Sequence, residues 1–499
     1  MGQCELMAAV ESTLDVKEVA GREASGKAGG RLAPAGGMGY KGRRIRERED
    51  AGMLERIFRL SENKTTVRTE CLAGVTTFLT MAYIIFVNPA VLATDFAGNP
   101  TGLDPHAVML ATCLSAALAS AIMGLFAGYP IAQAPGMGNN YLYVSIVMGL
   151  AATGVQNAWQ VALGVVFLSG LFFLILSLLK VRHAVINALS PSMRSGISVG
   201  IGLFIAFIGL RNGEILVSNP GTWVALNVHL LSPGPMVFLL GLLVIGMLHA
   251  RRVPGSILIG ILICTGAAWA MGKVEWPQVW FGWPRIETPA VMKMDVLGAL
   301  APACIPFILL CTFTDLFDTV GTLVGVSERA GFMRGGELPR ASRALVSDAI
   351  GTMVGAALGT STVTSYIESA AGVEQGGRTG LTALVVAGLF LLALMVSPVI
   401  GVAASFAPIT APALVVVGVF MTQNVARVDW GDITESLPAF LIMLGIPLTY
   451  SIADGLALGF VSYPALKWVS GRGREVRWPM TILAVVMVLY FALVRSRMG

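Results

Sequence analysis

Apolar runs close to twenty residues long recur from residue 71 almost to residue 494. Each is long enough to cross a hydrocarbon layer of about 30 Å as a helix. The chain is 55% hydrophobic and 13% charged, with a mean hydropathy of +0.75, whereas soluble domains carry roughly a quarter charged residues. Membrane barrel strands would alternate apolar and polar positions, and these runs do not. The expected fold class is an all-α polytopic membrane protein.

Fourteen transmembrane segments are predicted, at 71–92, 107–127, 130–150, 159–180, 192–210, 235–250 and 254–272, then at 300–326, 342–358, 360–373, 379–403, 409–424, 438–450 and 452–469. Orientation follows from Lys and Arg, which collect on cytoplasmic connections. With the N-terminus inside, those connections carry Lys180, Arg182, Arg251, Arg252, Arg329, Arg334, Arg340, Arg343, Arg378, Arg427, Lys467, Arg472, Arg474 and Arg477. The outer connections hold only Arg211, Lys273, Arg285 and Lys293. The run 478–494 stays open between a further crossing, which would put Arg495 and Arg497 outside, and an interfacial or tilted helix. Asn88-Pro89 is expected to stop the first helix.

Residues 1–52 lack an apolar stretch of signal-peptide length and are expected to form a disordered, basic cytoplasmic tail. "GREASGKA" within it only imitates a phosphate loop, because Ala28 stands where Ser or Thr is required. The net charge of +5 reflects basic residues at span ends, and no basic face interleaved with aromatics points to nucleic acid. The six cysteines form no CxxC pair and the four histidines show no ligand spacing, so no metal is expected.

Seven segments followed by seven suggest a repeat, and an odd number per half makes it inverted. The chain then divides into 53–273, an extracytoplasmic connection 274–299, a second repeat 300–470, and a C-terminal apolar helix and tail 471–499. Segment 3, "PIAQAPGMGNNYLYVSIVMGL", and segment 10, within "GTSTVTSYIESAAGV", are both broken near their start by small or polar residues. Paired interruptions in matching positions mark a transporter's midplane site. The GxxxG spacing of Gly196 and Gly200 is expected to serve packing within its own bundle.

A charge inside a span costs at least about 2.5–3.5 kcal/mol at the centre, so intramembrane acids are functional candidates. Four stand out: Asp315 and Asp318 in "DLFDTVGTLVGV", Asp348, and Glu368. Asp315 and Asp318 are three residues apart on one helix face. Two such carboxylates cannot both ionise cheaply, which suits a site that loads and unloads a proton. With the amides of Asn139 and Asn140 and the hydroxyls of Thr362, Thr364 and Ser365, these acids are expected to line a polar cavity for a planar, neutral, hydrogen-bonding solute.

"TTVRTECLAGVTTFLTMAYIIFVNPAVL" (65–92), "APGMGNN" (134–140), "DLFDTVGTLVGV" (315–326) and "GTSTVTSYIESAAGVEQGGRTGLTALV" (359–385) resemble the AzgA-like purine permeases, a branch of the nucleobase:cation symporter-2 family. The resemblance runs from about Leu54 to the last residues. It implies a core domain (segments 1–4 and 8–11) and a gate domain (5–7 and 12–14). It also implies import of hypoxanthine, guanine or adenine, driven by the proton gradient without a cofactor. A multi-pass place in the inner (cytoplasmic) membrane and a homodimer joined through the gate follow from the same likeness. Carried over by position, the substrate-binding residues fall on Asp315, Glu368, Gly138 and Asn140, with Asp318 and Asp348 tied to coupling or architecture. Asn139 departs from the family, which usually has a hydrophobic residue there. Thr319 stands where the uracil branch has a histidine, so proton handling must rest on carboxylates. Residues 1–52 have no counterpart, which makes Met53 a candidate start.

Two rival readings compete with this one. An intramembrane prenyltransferase could use Asp315-x-x-Asp318 for magnesium, but needs a second Asp-rich cluster and several cations that the sequence lacks. A sulfate-type anion transporter of the same architecture should offer cations and few acids, the reverse of this set.

Overall fold

The computed structural model describes residues 52–96, 98–179, 189–277, 279–284, 286, 289–333 and 338–493. The N-terminal tail up to residue 51 lies outside the described residues, as do Lys180, Arg182, Arg285, Arg334, Arg495 and Arg497.

The first apolar run forms two helices, α1 (Val67–Met81) and α2 (Ile84–Leu92). Thr66 caps α1 through its hydroxyl, which accepts from Thr69 N (3.2 Å). Asn88-Pro89 does not stop the helix as expected: Pro89 lies inside α2. Asn88 is buried there and donates to Thr112 Oγ1 (2.7 Å) and Thr360 Oγ1 (2.9 Å), so its amide joins spans. α3 (Pro105–Ile122) starts on Asp104, whose carboxylate accepts from His106 N, with Pro105 at the position where no N–H is needed. Next come strand β1 (Gln133–Pro135), α4 (Met137–Ala152), α5 (Ala158–Leu178) and α6 (Pro191–Asn212). A hairpin of β2 (Leu216–Asn219) and β3 (Trp223–Leu226) leads to α7 (Pro233–Ala250) and α8 (Ser256–Ala270).

The second half begins with α9 (Ile305–Ala330) and α10 (Ala341–Leu358), then strand β4 (Val363–Ser365) and the short α11 (Ser369–Glu374). Segment 379–403, expected as one helix, is two: α12 (Gly380–Ala393) and α13 (Ser397–Ala404). Pro398 has no N–H to bond back to the preceding turn and its ring crowds the carbonyl four residues earlier, so the helix must restart with it. α14 (Ala407–Thr422), α15 (Ile433–Thr449), α16 (Ile452–Val469) and α17 (Trp478–Leu493) complete the chain. Among the described residues seven helices are long and apolar enough to cross a membrane, with shorter apolar ones between them.

The helices pack as two bundles. One holds α1–α5 and α9–α12 with both β1 and β4; the other holds α6–α8 and α14–α16. Within the second, α6 presses closely on α14 and α15. A Cβ at Gly196 would lie 3.0 Å from Ala439, and one at Gly200 would lie 2.9 Å from the carbonyl of Ile442. This spacing therefore packs inside one bundle. In the first bundle, Glu70 is fully buried and receives Arg378 N (2.9 Å), Thr379 N (3.3 Å) and Thr382 Oγ1 (2.6 Å). It ties α1 to the N-terminal turn of α12, where a carboxylate also meets the helix dipole favourably.

α17 buries Met480, Leu483 and Met487 beside α16 and exposes Ile482, Val485 and Leu489. Both faces are apolar, as a lipid-facing helix requires. A charge cluster sets its starting point. Lys467 is fully buried, with its Nζ 2.9 Å from Glu435 and 2.8 Å from Glu475. Arg472 adds contacts to Asp432 (2.6 Å) and Glu475 (2.7 Å). Hydrogen bonds from Arg472 and Lys467 hold the exposed Glu475 down to about 2, and the Thr434 hydroxyl and Arg472 hold Asp432 low as well. Folded-state values below the unfolded ones mean that this contribution to stability is complete above about pH 4.5 and is lost as pH falls toward 2. Removing one partner of a buried pair typically costs about 3–5 kcal/mol. Lys467→Ala should therefore lower the unfolding temperature in detergent far more than Arg472→Ala at the exposed rim, as thermal-shift gel filtration would measure.

Candidate functional site

The two interrupted segments meet each other. β1 and β4 pair antiparallel, with Gln133 opposite Ser365, Ala134 opposite Thr364 and Pro135 opposite Val363, all six residues buried. Gly136 N donates to Thr362 O (2.9 Å), Tyr366 N to Ala132 O (3.0 Å) and the Tyr366 hydroxyl to Pro135 O (2.5 Å). Backbone that would be unpaired at lipid depth is thus satisfied by its counterpart from the other half. Gly136 permits the approach, because a Cβ there would stand 2.7 Å from the Thr364 methyl. A Cβ at Gly138 would stand 2.9 Å from Ile201 Cγ2 of α6, so this position lies where the two bundles touch.

The acids expected from the sequence differ in their surroundings. Asp348, fully buried, accepts from Gln133 Nε2 (2.7 Å), Thr319 Oγ1 (2.6 Å) and Ser365 Oγ (3.0 Å). These three donors bind α9, α10, β1 and β4 into one unit. Asp315 is also buried, yet only its Oδ2 has a partner, Thr352 Oγ1 at 3.0 Å. Its Oδ1 is buried without one, and so is Asn139 Nδ2. An orphaned acceptor and an orphaned donor each cost about 1–3 kcal/mol, and each offers a hydrogen bond to a solute.

Glu368 is half-buried at the start of α11 and accepts from the Tyr83 hydroxyl (2.8 Å). Asp318 does not share the environment of Asp315: it is exposed, on the face that carries Gly321. An exposed carboxylate at this depth is affordable only where water reaches it. The Asp318–Gly321 face is open, and a Cβ at Gly321 would meet nothing within 4 Å. Asn140 is fully buried and its Oδ1 accepts from the Ser361 hydroxyl, so it laces the two halves together. Thr364 Oγ1 contacts Thr319 Oγ1 (2.9 Å); Thr362 joins through its carbonyl, as above.

Tyr83, Gln133 and Thr352 escape the sequence reading, though all three sit in the site. Their signal was present: each is a polar residue inside an apolar run, and Tyr83 and Gln133 lie within or beside the quoted motifs.

Comparison with known proteins bears on what such a site serves. The Permease family model (Xan_ur_permease) matches residues 68–458. The chain belongs to this family. It is 46% identical to "Putative permease MJ0326" of Methanocaldococcus jannaschii over 88% of this chain and 98% of that protein. It is 42% identical to "Adenine permease AdeP" of Escherichia coli K12, over 88% and 96%. With "Guanine/hypoxanthine permease PbuG" of Bacillus subtilis it shares 41%, over 88% and 99%. Among solved structures, the transmembrane domain of the cyanobacterial bicarbonate transporter BicA superposes with a TM-score of 0.57 at 17% identity, over 79% of this chain and 97% of that one. SLC26A9 superposes at 0.59 and 12%, over 87% and 70%. These structures share the fold, and the permease is a multi-pass membrane transporter rather than an enzyme.

The donor counts separate the acids by experiment. Asp348→Asn would set an amide against the Gln133 amide and remove charge-assisted bonds of about 1.5–3 kcal/mol each. It should markedly lower the unfolding temperature of the purified permease, whereas Asp318→Asn, without such donors, should leave it within about 0.5 kcal/mol of wild type.

Proposed function

We propose that this permease imports purine nucleobases (hypoxanthine, guanine or adenine) across the cytoplasmic membrane by proton symport, with its N-terminus in the cytoplasm. The relatives named adenine and guanine/hypoxanthine permeases support the substrate class. The observation that carries the reading is that a buried acceptor, Asp315 Oδ1, and a buried donor, Asn139 Nδ2, both lack a partner. A purine edge presents N–H donors beside an acceptor, and it satisfies both orphans without bringing a net charge into the membrane. Glu368, Gly138, Thr362, Thr364, Ser365 and Asn140 complete the proposed site, the last through its hold on Ser361. The bland alternative, a sulfate-type anion carrier, shares the fold with the solved anion transporters at 12–17% identity, but four carboxylates would repel its cargo.

Thr352 gives the proton a route to the site's geometry. Its hydroxyl has one hydrogen but lies 3.0 Å from Asp315 Oδ2 and 2.9 Å from Val363 O. An ionised Asp315 takes that hydrogen, and β4 loses it. A protonated Asp315 donates to Thr352 instead, and Thr352 then donates to Val363 O, fastening α10 to β4. Loading the proton and setting the strand that lines the site become one event. Asp348 stands beside it, held by its three donors, and Asp318, on the open inner face, is the group through which the proton leaves. The core and gate bundles then alternate access, and homodimers join through the gate.

Uptake of labelled hypoxanthine, adenine and guanine into cells lacking their own purine carriers tests this. Asp315→Ala and Glu368→Ala should abolish uptake with protein still in the membrane; retained uptake by both removes the site assignment. An uncoupler should stop accumulation, and indifference to it with dependence on sodium would refute proton coupling. Thr352→Val should change the pH profile of uptake, and Thr352→Ser should restore it.

A further inference from the structure

Arg211 is one of the few cations on the outer face, against the prevailing charge bias, and it stands at the last turn of α6 in the gate bundle. Its guanidinium donates to the carbonyl of Phe96 in the core bundle and lies 5.9 Å above the Tyr450 ring. Phe96 is presented by a braced loop: Asp95 N donates to Asn99 O (2.7 Å), Asp95 Oδ1 accepts from Asn99 N (2.8 Å), and Thr101 N donates to Ala93 O (3.0 Å). Tyr450 is held at φ 53°, a left-handed turn between α15 and α16 that costs a non-glycine residue energy and is kept only where the surroundings enforce it.

Beneath this contact the rings interlock. Phe96 and Tyr141 from the core meet Phe204 and Tyr450 from the gate, with centroids 5.7 Å apart for Phe96–Phe204 and Tyr141–Phe204 and 6.0 Å for Phe204–Tyr450. Tyr141 follows directly on Asn139 and Asn140, so these rings stand between the proposed site and the exterior. Outside them lies a cavity of about 480 Å³ bounded by Arg211, Tyr450, Leu142 and Ser145. On the cytoplasmic side of the site, by contrast, the Asp318–Gly321 face is open. The structure is shut outside and open inside.

We infer that Arg211 is the external lock of the carrier: its bond to Phe96 and its cation–π contact with Tyr450 clamp the gate to the core over an aromatic plug, and they must break for the site to face outward. Guanidinium suits this task because it serves the carbonyl and the ring face together, which an ammonium does poorly. Arg211 touches no part of the site, so it acts by positioning the two bundles.

The test needs no solute, so it succeeds or fails independently of the purine reading. Two cysteine reporters are introduced separately into whole cells: Leu142→Cys, in a wall of the outer cavity and 1% exposed, and Gly321→Cys, on the open inner face. Labelling is measured against the parent chain, with a membrane-impermeant maleimide for the first and a permeant one for the second. Adding Arg211→Ala should speed labelling at Leu142→Cys roughly tenfold and slow it at Gly321→Cys, because loss of the clamp shifts the population toward the outward-open state. Arg211→Lys should fall between. Unchanged labelling at both reporters, with normal membrane abundance, overturns the lock. So does a rise at Leu142→Cys with no fall at Gly321→Cys, since that reports local loosening only.

Discussion

A hydrocarbon layer does not forgive unpaired peptide groups, and that constraint decides how a site can be built at the centre of this permease. A polar solute needs a break in the helices, and a break exposes N–H and C=O groups that lipid cannot serve. Pairing β1 with β4 meets both demands. Each strand covers the other's backbone, and the side chains on either side converge at the place where the helices stop. Asp348, Gln133, Thr319 and Ser365 then fix the pair to α9 and α10.

Carboxylates inside a membrane are costly, and here the chain spends them in distinct ways. Asp348 is surrounded by donors and holds the architecture. Asp315 keeps one oxygen unpartnered and shares the single hydrogen of Thr352 with a strand carbonyl. Asp318 lies on the exposed face of α9, and Glu70 ties α1 to α12. Residue type is common to all; the number of donors that each meets separates them.

Much of this was legible in the sequence. Apolar run length marked the helices, and small or polar residues in segments 3 and 10 marked where helices would give way. The acids declared themselves by standing where lipid was expected. What stayed hidden depends on long-range pairing. Asp315 and Asp318 look equivalent at a spacing of three, yet the strand and α10 cover one and leave the other open. Asn88-Pro89 reads as a stop from local rules, but the bonds of Asn88 to Thr112 and Thr360 carry the helix through. Nothing local to Asn140 announces that its Oδ1 accepts from Ser361 of the other half. Glu70 sits too near a span end to stand out by hydropathy.

The two strands that close the site are 232 residues apart in the chain, as the separation of Gln133 and Ser365 records. During synthesis, the first strand is therefore made and inserted long before its partner exists. Until then its peptide groups must be sheltered by the translocation machinery, by water or by neighbouring helices in a makeshift arrangement. Assembly at the centre has to come late, after nearly three quarters of the polypeptide has emerged. A ribosome stalled at the end of α10 would leave a protein with most of its core helices in the bilayer and nowhere for cargo to sit.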